Sequence, residues 1–558
     1  MRLSPSAHVD TFCRDNLPPD GQWPELDFTL PGLAYPDRLN CADALLDDTI
    51  ARHGADRPCL LPQDVLEPVW SYRDLARASS QIAAVLTEDL GLVPGNRVLL
   101  RGPNNPWLAA CWFGVIKAGG VVVATMAQLR AAELVTICDI AQVSLALCDD
   151  RFTAELEAAA VPGLRTIAFR GAGPASGPGG VAAVGAEPVG PAALNELAAT
   201  KPASFASVQT AADDVAMIAF TSGTTGRPKA AMHFHRDVLA VADTFSAHVV
   251  KPTPDDIFTG TPPLAFTFGL GALLIFPIRA GAATLLIERA TPAELADHIA
   301  TRGVTICSTA PTAFRAILAA GKADQLRGLR RPVSAGETLP GSLWHAFYDA
   351  TGVKIIDGIG STELLHIFIS AADDQIRPGA TGLPVPGYRA AILDDAGQPV
   401  PDGQSGHLAV KGPTGCRYLA DDRQRNYVSD GWNLTGDTYL RDEDGYFWYQ
   451  ARSDDMIVSS GYNIAGPEVE DVLLSDPEVA ECGVVGVPDE ARGYIVKAFV
   501  VLTDGATGGP EKAAELQDLV KQTIAPYKYP RAIEFLPSLP RTNTGKLQRF
   551  KLRDASAG

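Results

Sequence analysis

Through roughly the first four fifths of the chain, short apolar runs rich in β-branched residues alternate with Ala/Leu-rich stretches of helical periodicity. Arg97–Leu100 reads as a strand, followed by a helix near Trp107–Lys117, a strand at Val121–Ala124 and a helix near Ala131–Ala141. Alternation of this kind predicts α/β layers built on largely parallel sheets. The Gly/Ala/Pro-rich segment Gly171–Val189 predicts a surface loop or linker between subdomains. Pro262–Ile278 is the longest uncharged apolar stretch, but Pro263, Gly269, Gly271 and Pro277 interrupt it. It predicts buried strand and loop and is too short for a membrane span. After Arg452 the texture changes. Strands at Gly483–Val487 and Ala498–Leu502 alternate with helices near Pro467–Leu474 and Glu511–Ile524, which predicts a small α+β domain. The expected division is a large N-terminal domain, 1–453, and a C-terminal domain, 454–558, with the junction at Ser453-Asp454-Asp455.

A length of 558 residues suits two to four ordinary domains, and 46% hydrophobic residues supply the apolar surface their cores need. The net charge of −18 argues against a nucleic acid as partner, since a polyanion would be repelled. Nine cysteines are scattered without a CxxC pair, which supports neither a disulfide framework nor a zinc cluster and fits a reducing compartment. The first residues lack the apolar core of a signal peptide. The expectation is a cytoplasmic protein without membrane insertion.

Candidate chemistry changes the picture at four places. Thr221-Ser-Gly-Thr-Thr-Gly-Arg-Pro-Lys229 follows the apolar run Val215–Phe220. Small hydroxyl and glycine residues after a strand let backbone N–H and side-chain OH groups wrap a phosphate, and Lys229 adds a positive charge. The spacing differs from that of the NTPase P-loop, because only two residues separate Gly223 and Gly226 and Ala230 follows the lysine. Asp357-Gly-Ile-Gly-Ser-Thr-Glu363 follows a predicted strand at Val353–Ile356; its glycines permit close approach of a flat or anionic ligand, and Glu363 is a candidate Mg²⁺ carboxylate. Thr435-Gly-Asp437 sets a carboxylate beside a tight turn, suited to a ribose diol. Lys546 ends Pro540-Arg-Thr-Asn-Thr-Gly-Lys546. Taken singly, each fragment also suits a plain turn, a helix cap or a solvated charge.

Taken together they resemble, in order and spacing, the adenylate-forming superfamily of acyl-CoA synthetases, firefly-type luciferases and peptide-synthetase adenylation domains. The resemblance spans nearly the whole chain and includes Ser334-Ala-Gly-Glu-Thr-Leu-Pro340, Ala451-Arg-Ser-Asp-Asp455 and Ser460-Gly-Tyr-Asn-Ile464. It implies an acid–thiol ligase that uses ATP, Mg²⁺ and coenzyme A. In that likeness Thr221, Ser222, Gly223, Thr224, Thr225, Gly226 and Lys229 hold the phosphates. Glu363 binds Mg²⁺ and Thr362 meets the α-phosphate. Gly336, Glu337, Asp357, Gly358, Ile359, Gly360 and Ser361 form the nucleotide wall, with Asp437 and Arg452 at the ribose. Lys546 bridges the attacking carboxylate and the α-phosphate, the electrostatic role that usually contributes most. Asp454 takes the hinge position, Gly461 makes room for the pantetheine arm, and Arg492 and Arg531 are basic candidates for the CoA nucleotide. Ile359 departs from the family's stacking aromatic, with Asp357 a candidate contact to the adenine amino group. Phe266 stands where relatives often carry a histidine or an aspartate, which argues against an α-amino-acid substrate.

The strings Asp357–Phe368 and Phe266–Gly271 resemble benzoate-type aryl-CoA ligases, and Asp10–Pro24 resembles 2-aminobenzoate (anthranilate)–CoA ligases. The resemblance implies a small aromatic carboxylic acid in a pocket of Phe266, Thr267, Phe268, Gly269, Leu365 and His366. The two phenylalanines wall the ring, and Thr267 or His366 meets an ortho-amino group. A benzoate or medium-chain acid is the competing substrate. A separate carrier protein in place of CoA, and a homodimer, stay open as partners.

Overall fold

Arg97–Arg101, Val121–Thr125, Leu145–Asp149 and Arg165–Phe169 pair in parallel, Val215–Thr221 joins them beside Val121–Thr125, and Lys229–Phe234 closes the edge antiparallel. The central strands are apolar through their middles and largely buried, as a parallel sheet covered on both faces requires. The structure, a computed structural model, describes residues 3–171, 193–221, 227–452, 455–459, 462–489, 493–524, 526–542 and 547–555. The predicted loop Gly171–Val189 lies outside them after Gly171.

A second sheet of nine strands has a parallel middle made of Pro58–Leu61, Ala283–Leu285, Ile257–Gly260, Ile306–Thr309, Arg331–Ser334 and Ile356–Gly360. It ends in the antiparallel strands Ile367–Ser370 and Leu383–Pro384 on one side and Trp70–Ser71 on the other. The two α/β layers share one core. The helix Pro106–Lys117 is set by Asn105, whose side chain caps it at Leu108 N, and by Pro106 in its first turn. A five-stranded antiparallel sheet, including Ser405–Lys411, Trp432–Arg441 and Phe447–Arg452, completes the large domain.

The small α+β domain pairs Val479–Asp489 antiparallel with Gly493–Leu502, which runs parallel to Ala532–Phe535. The helices Gly466–Leu473 and Pro510–Thr523 cover one face, around a core of Val469, Val484, Val496, Leu516 and Val520. It touches the large domain where Ser342 Oγ donates to Asp471 Oδ1 (2.6 Å) and where Arg541 reaches Glu337 (3.4 Å). Among the described residues no helix is long and apolar enough to cross a membrane.

Two local expectations are corrected. The predicted strand-and-loop stretch Pro262–Ile278 is helical from Thr267 to Ala280, with a wide π turn over Gly271–Ile275. Its glycines serve packing rather than breakage: a Cβ on Gly269 would fall 2.1 Å from the Pro263 carbonyl, and one on Gly271 would fall 2.3 Å from the His366 ring. Pro277, which lacks an N–H, sits just after the π turn, where the hydrogen-bond register shifts. The strand predicted at Val353–Ile356 instead runs Ile356–Gly360, so Asp357–Gly360 are strand residues. Ile356 and Asp357 pair with Val333 and Ser334, and the antiparallel pairing with Ile367–Ser370 carries the strand on through the two glycines.

Candidate active site

The ends of the glycine- and threonine-rich segment meet across a hairpin, since Thr221 and Lys229 are register partners. Ser222, Gly223, Thr224, Thr225 and Gly226 lie outside the described residues. Lys229 Nζ donates to the Tyr418 hydroxyl (3.1 Å), and that hydroxyl donates to Oε1 of the buried Glu363 (2.5 Å). Tyr427 lies alongside, its hydroxyl 3.2 Å from Ser361 Oγ. Ser361 Oγ in turn accepts from Leu364 N (3.2 Å), and Thr362 O accepts from Leu365 N (3.2 Å), so a tight turn presents Glu363. Lys229 and the Ser361–Glu363 turn, from two parts of the sequence, are thus gathered by 417–427, a segment the motif reading passed over.

At the nucleotide wall, Gly336 takes a left-handed conformation (φ +89°), and Glu337 meets Arg541, which also binds Glu481 (2.6 Å). Ile359 packs against the large core. Asp437 and Arg452 are register partners joined by an ion pair of 3.1 Å, and Arg452 also donates to Thr435 O (3.2 Å). Gly436 (φ +76°) makes that approach possible, because a Cβ there would lie 2.9 Å from Arg452 Nη2. The ribose candidates are therefore together.

Asp357 is half-buried, yet its Oδ1 is shut from solvent without a hydrogen-bond partner, as is the hydroxyl of its register neighbour Ser334. Burial pushes the Asp357 carboxyl up to about 8. A carboxyl held above its unfolded value of 3.8 keeps its proton in the native state, so native stability falls as pH rises from about 4 to about 8. Asp357→Asn removes that dependence. Thermal melts without ATP should show the variant gaining on the wild type from pH 5 to pH 8, by up to about 4 kcal/mol. A gap constant across that range would contradict the assignment.

Two acyl candidates, Leu365 and His366, lie on the same hairpin as Asp357–Ser361, and Thr267–Gly269 lie in a separate helix. Gly360 and Ile367 are register partners across the turn that carries Glu363 and His366, and Leu365 in that turn is held at φ +70°, a costly conformation for a leucine. His366 is buried in a cage of phenyl rings: Phe245 stacks on it (centroids 5.4 Å), Phe276 meets it edge-on (4.5 Å) and Phe268 is tilted against it (5.7 Å). Burial lowers its pKa to about 3, so the ring is neutral. Its Nε2 lies 3.3 Å from the Phe268 carbonyl, which can only accept, so Nε2 carries the proton. Nδ1 is then an acceptor, buried and unpartnered. Asn104 pins the Phe266 loop from outside, donating to Pro262 O (3.1 Å) and accepting from Leu264 N (2.7 Å). Phe245, Phe276 and Asn104 carry no motif; only the apolar stretch that holds Phe276 was visible in sequence.

Arg531 is used within the small domain, its guanidinium 4.8 Å from the Tyr529 ring and donating to Tyr527 O. Asp454, Gly461, Arg492 and Lys546 lie outside the described residues. The chain flanking Lys546 is described: Arg541 and Leu547 form an antiparallel bridge, and Gln548 N donates to Pro540 O (2.9 Å).

Residues 46–418 match the family model described as AMP-binding enzyme, and 468–546 match the AMP-binding enzyme C-terminal domain. The chain belongs to the AMP-binding enzyme family, the adenylate-forming ligases that its motifs resemble. Benzoate–CoA ligase of Thauera aromatica is 33% identical over 538 residues, covering 94% of this chain and 98% of that protein. Among solved structures, the anthranilate CoA ligase AuaEII in complex with anthranoyl-AMP superposes with a TM-score of 0.86 at 33% identity, covering 94% of this chain and 98% of that one. A benzoate CoA ligase from Burkholderia xenovorans LB400 gives a TM-score of 0.80 at 29% identity, covering 92% of this chain and all of that one.

Proposed function

We propose that the protein is an AMP-forming aryl-CoA ligase whose preferred acid is 2-aminobenzoate. The observation that carries the choice of acid is the aromatic cage of His366, whose tautomer leaves a lone pair at Nδ1 for an N–H of the ring substituent. A buried acceptor without a donor is costly, so an acid that brings one is favoured over one that does not. The relatives named for benzoate and anthranilate support the same substrate class.

The reaction runs in two halves. A carboxylate oxygen attacks the α-phosphorus of ATP and diphosphate leaves; the CoA sulfur then attacks the acyl carbon and AMP leaves. Lys229 and the Thr221–Gly226 segment hold the departing phosphates, Thr362 meets the α-phosphate, Asp437 and Arg452 hold the ribose, and Lys546 neutralises the charge that develops during adenylation. Mg²⁺ fits the donor set at Glu363. Among the described residues no group of three ligating side chains gathers there, and one buried carboxylate plus substrate phosphates is the arrangement Mg²⁺ favours. The ion would neutralise phosphate charge. The unit 454–558 turns about Asp454 between the halves, withdrawing Lys546 and bringing Gly461 to the site, with Arg492 and Arg531 at the CoA nucleotide.

The test is acid-dependent AMP release from ATP, with and without CoA, across benzoate, 2-aminobenzoate, 2-hydroxybenzoate, octanoate and amino acids. The expected result is a preference for 2-aminobenzoate, with a thioester only when CoA is present. Adenylate formation without transfer to CoA would point to a carrier protein, and octanoate far ahead of every aromatic acid would overturn the aryl reading.

A further inference from the structure

Tyr418 belongs to none of the motifs, yet its hydroxyl lies between the phosphate-segment lysine and the candidate metal carboxylate. Its place is set by backbone: Met232 N donates to Arg417 O (2.8 Å), Leu419 N donates to Ala230 O (2.9 Å), and Tyr418 bridges Ala231, so 417–419 runs as an extra edge beside Lys229–Phe234. A few residues on, Arg423, held by Asp421, donates to Arg227 O (2.9 Å) and Pro228 O (3.2 Å). One arm therefore grips the stem of the phosphate segment at two points.

The hydrogen bonds at the hydroxyl have only one possible sense. Lysine only donates and a carboxylate only accepts, so Tyr418 accepts from Lys229 and gives its proton to Glu363 Oε1. Oε2 of Glu363 takes no protein hydrogen bond among the described residues. We propose that Tyr418 is the positioning residue of the metal–phosphate end: by occupying Oε1 it turns Oε2 toward the cation, and it couples that carboxylate to Lys229. This rests on the reading of Glu363 as the Mg²⁺ carboxylate.

The test compares affinity for AMPPNP with Mg²⁺ and with EDTA, by calorimetry without acid, so that no turnover enters. The ratio of the two affinities is the gain due to metal. Tyr418→Phe keeps the ring and deletes one charge-assisted hydrogen bond, so the gain should fall about ten- to hundredfold. Glu363→Gln should abolish it, and the double variant should be no worse than Glu363→Gln alone, because the tyrosine acts through that carboxylate. An unchanged gain in Tyr418→Phe alongside a loss in Glu363→Gln would overturn the role of Tyr418 and leave Glu363 standing. A gain unaffected by Glu363→Gln would overturn the metal reading, and the inference with it. Additive losses in the double variant would show that the hydroxyl acts elsewhere. Should the phenylalanine variant fail to fold, Tyr418→Ser admits water to solvate Glu363 and carries the same expected and overturning results.

Discussion

Replacing His366 by leucine should lower kcat/KM for 2-aminobenzoate by about ten- to hundredfold while benzoate stays within about threefold of the wild type. The imidazole does two things in its cage. Its Nε2–H ties the ring to the Phe268 carbonyl, and its Nδ1 is left as a bare acceptor. Leucine removes both and keeps an apolar side chain of comparable size, so any loss of packing or of the Phe268 bond falls on every acid alike. Only an acid that donates to Nδ1 loses something more. The discriminating quantity is thus the ratio of the two efficiencies, measured as initial rates of AMP release at saturating ATP and CoA. The neutral ring adds a second signature: with a pKa near 3, His366 does not titrate between pH 5 and 9, so the preference should be flat across that range. Equal losses on both acids would reduce His366 to a packing residue, and a preference that changes near pH 6.5 would mean that the imidazole is exposed to protonation.

The family was legible because it rests on local strings. Thr221–Lys229, Asp357–Glu363 and Thr435–Asp437 each put glycine and hydroxyl residues where the chain must turn or approach a ligand, and such constraints survive in the order of letters. The parallel strands were legible for a related reason: runs such as Val121–Thr125 are apolar on both faces, with no polar alternation to mistake for loop. What the strings did not contain is what lies across space from them. Gly358 and Gly360 look like loop residues, but they belong to a strand, because pairing with Ile367–Ser370 outweighs their weak strand preference. Gly269, Gly271 and Pro277 look like breakers, but the two glycines allow a helix to sit against Pro263 and His366, and Pro277 sits in the first turn after the π segment. Tyr418 reads as one more aromatic in a mixed segment, and only the edge pairing beside Ala231 places its hydroxyl between Lys229 and Glu363. In each case the decisive partner is distant in sequence, and no local pattern encodes it.

The other large effect expected is at Lys546, and it should split the reaction. Lys546→Ala should lower acid-dependent exchange of diphosphate into ATP by about 10²–10³-fold, the loss typical of one preorganised group that stabilises developing charge. Transfer to CoA from a supplied 2-aminobenzoyl-adenylate should stay within about threefold, since the proposed alternation withdraws the lysine with the small domain in the second half. The described surroundings support this placement. The chain on either side of the lysine is tied by the Arg541–Leu547 bridge and by Gln548 N to Pro540 O, and Arg541 reaches Glu337 on the nucleotide wall while holding Glu481 of its own domain. The described flanks of the loop thus lie toward Glu337, and the proposed reading of Lys546 has a cation there serve adenylation and take no part in thiol attack. Equal loss in both halves would mean that the variant damages the shared site rather than one step, and the alternation of 454–558 would lose its support. Loss in neither would make Lys546 a solvated charge and leave the adenylation barrier to Lys229 and the metal alone.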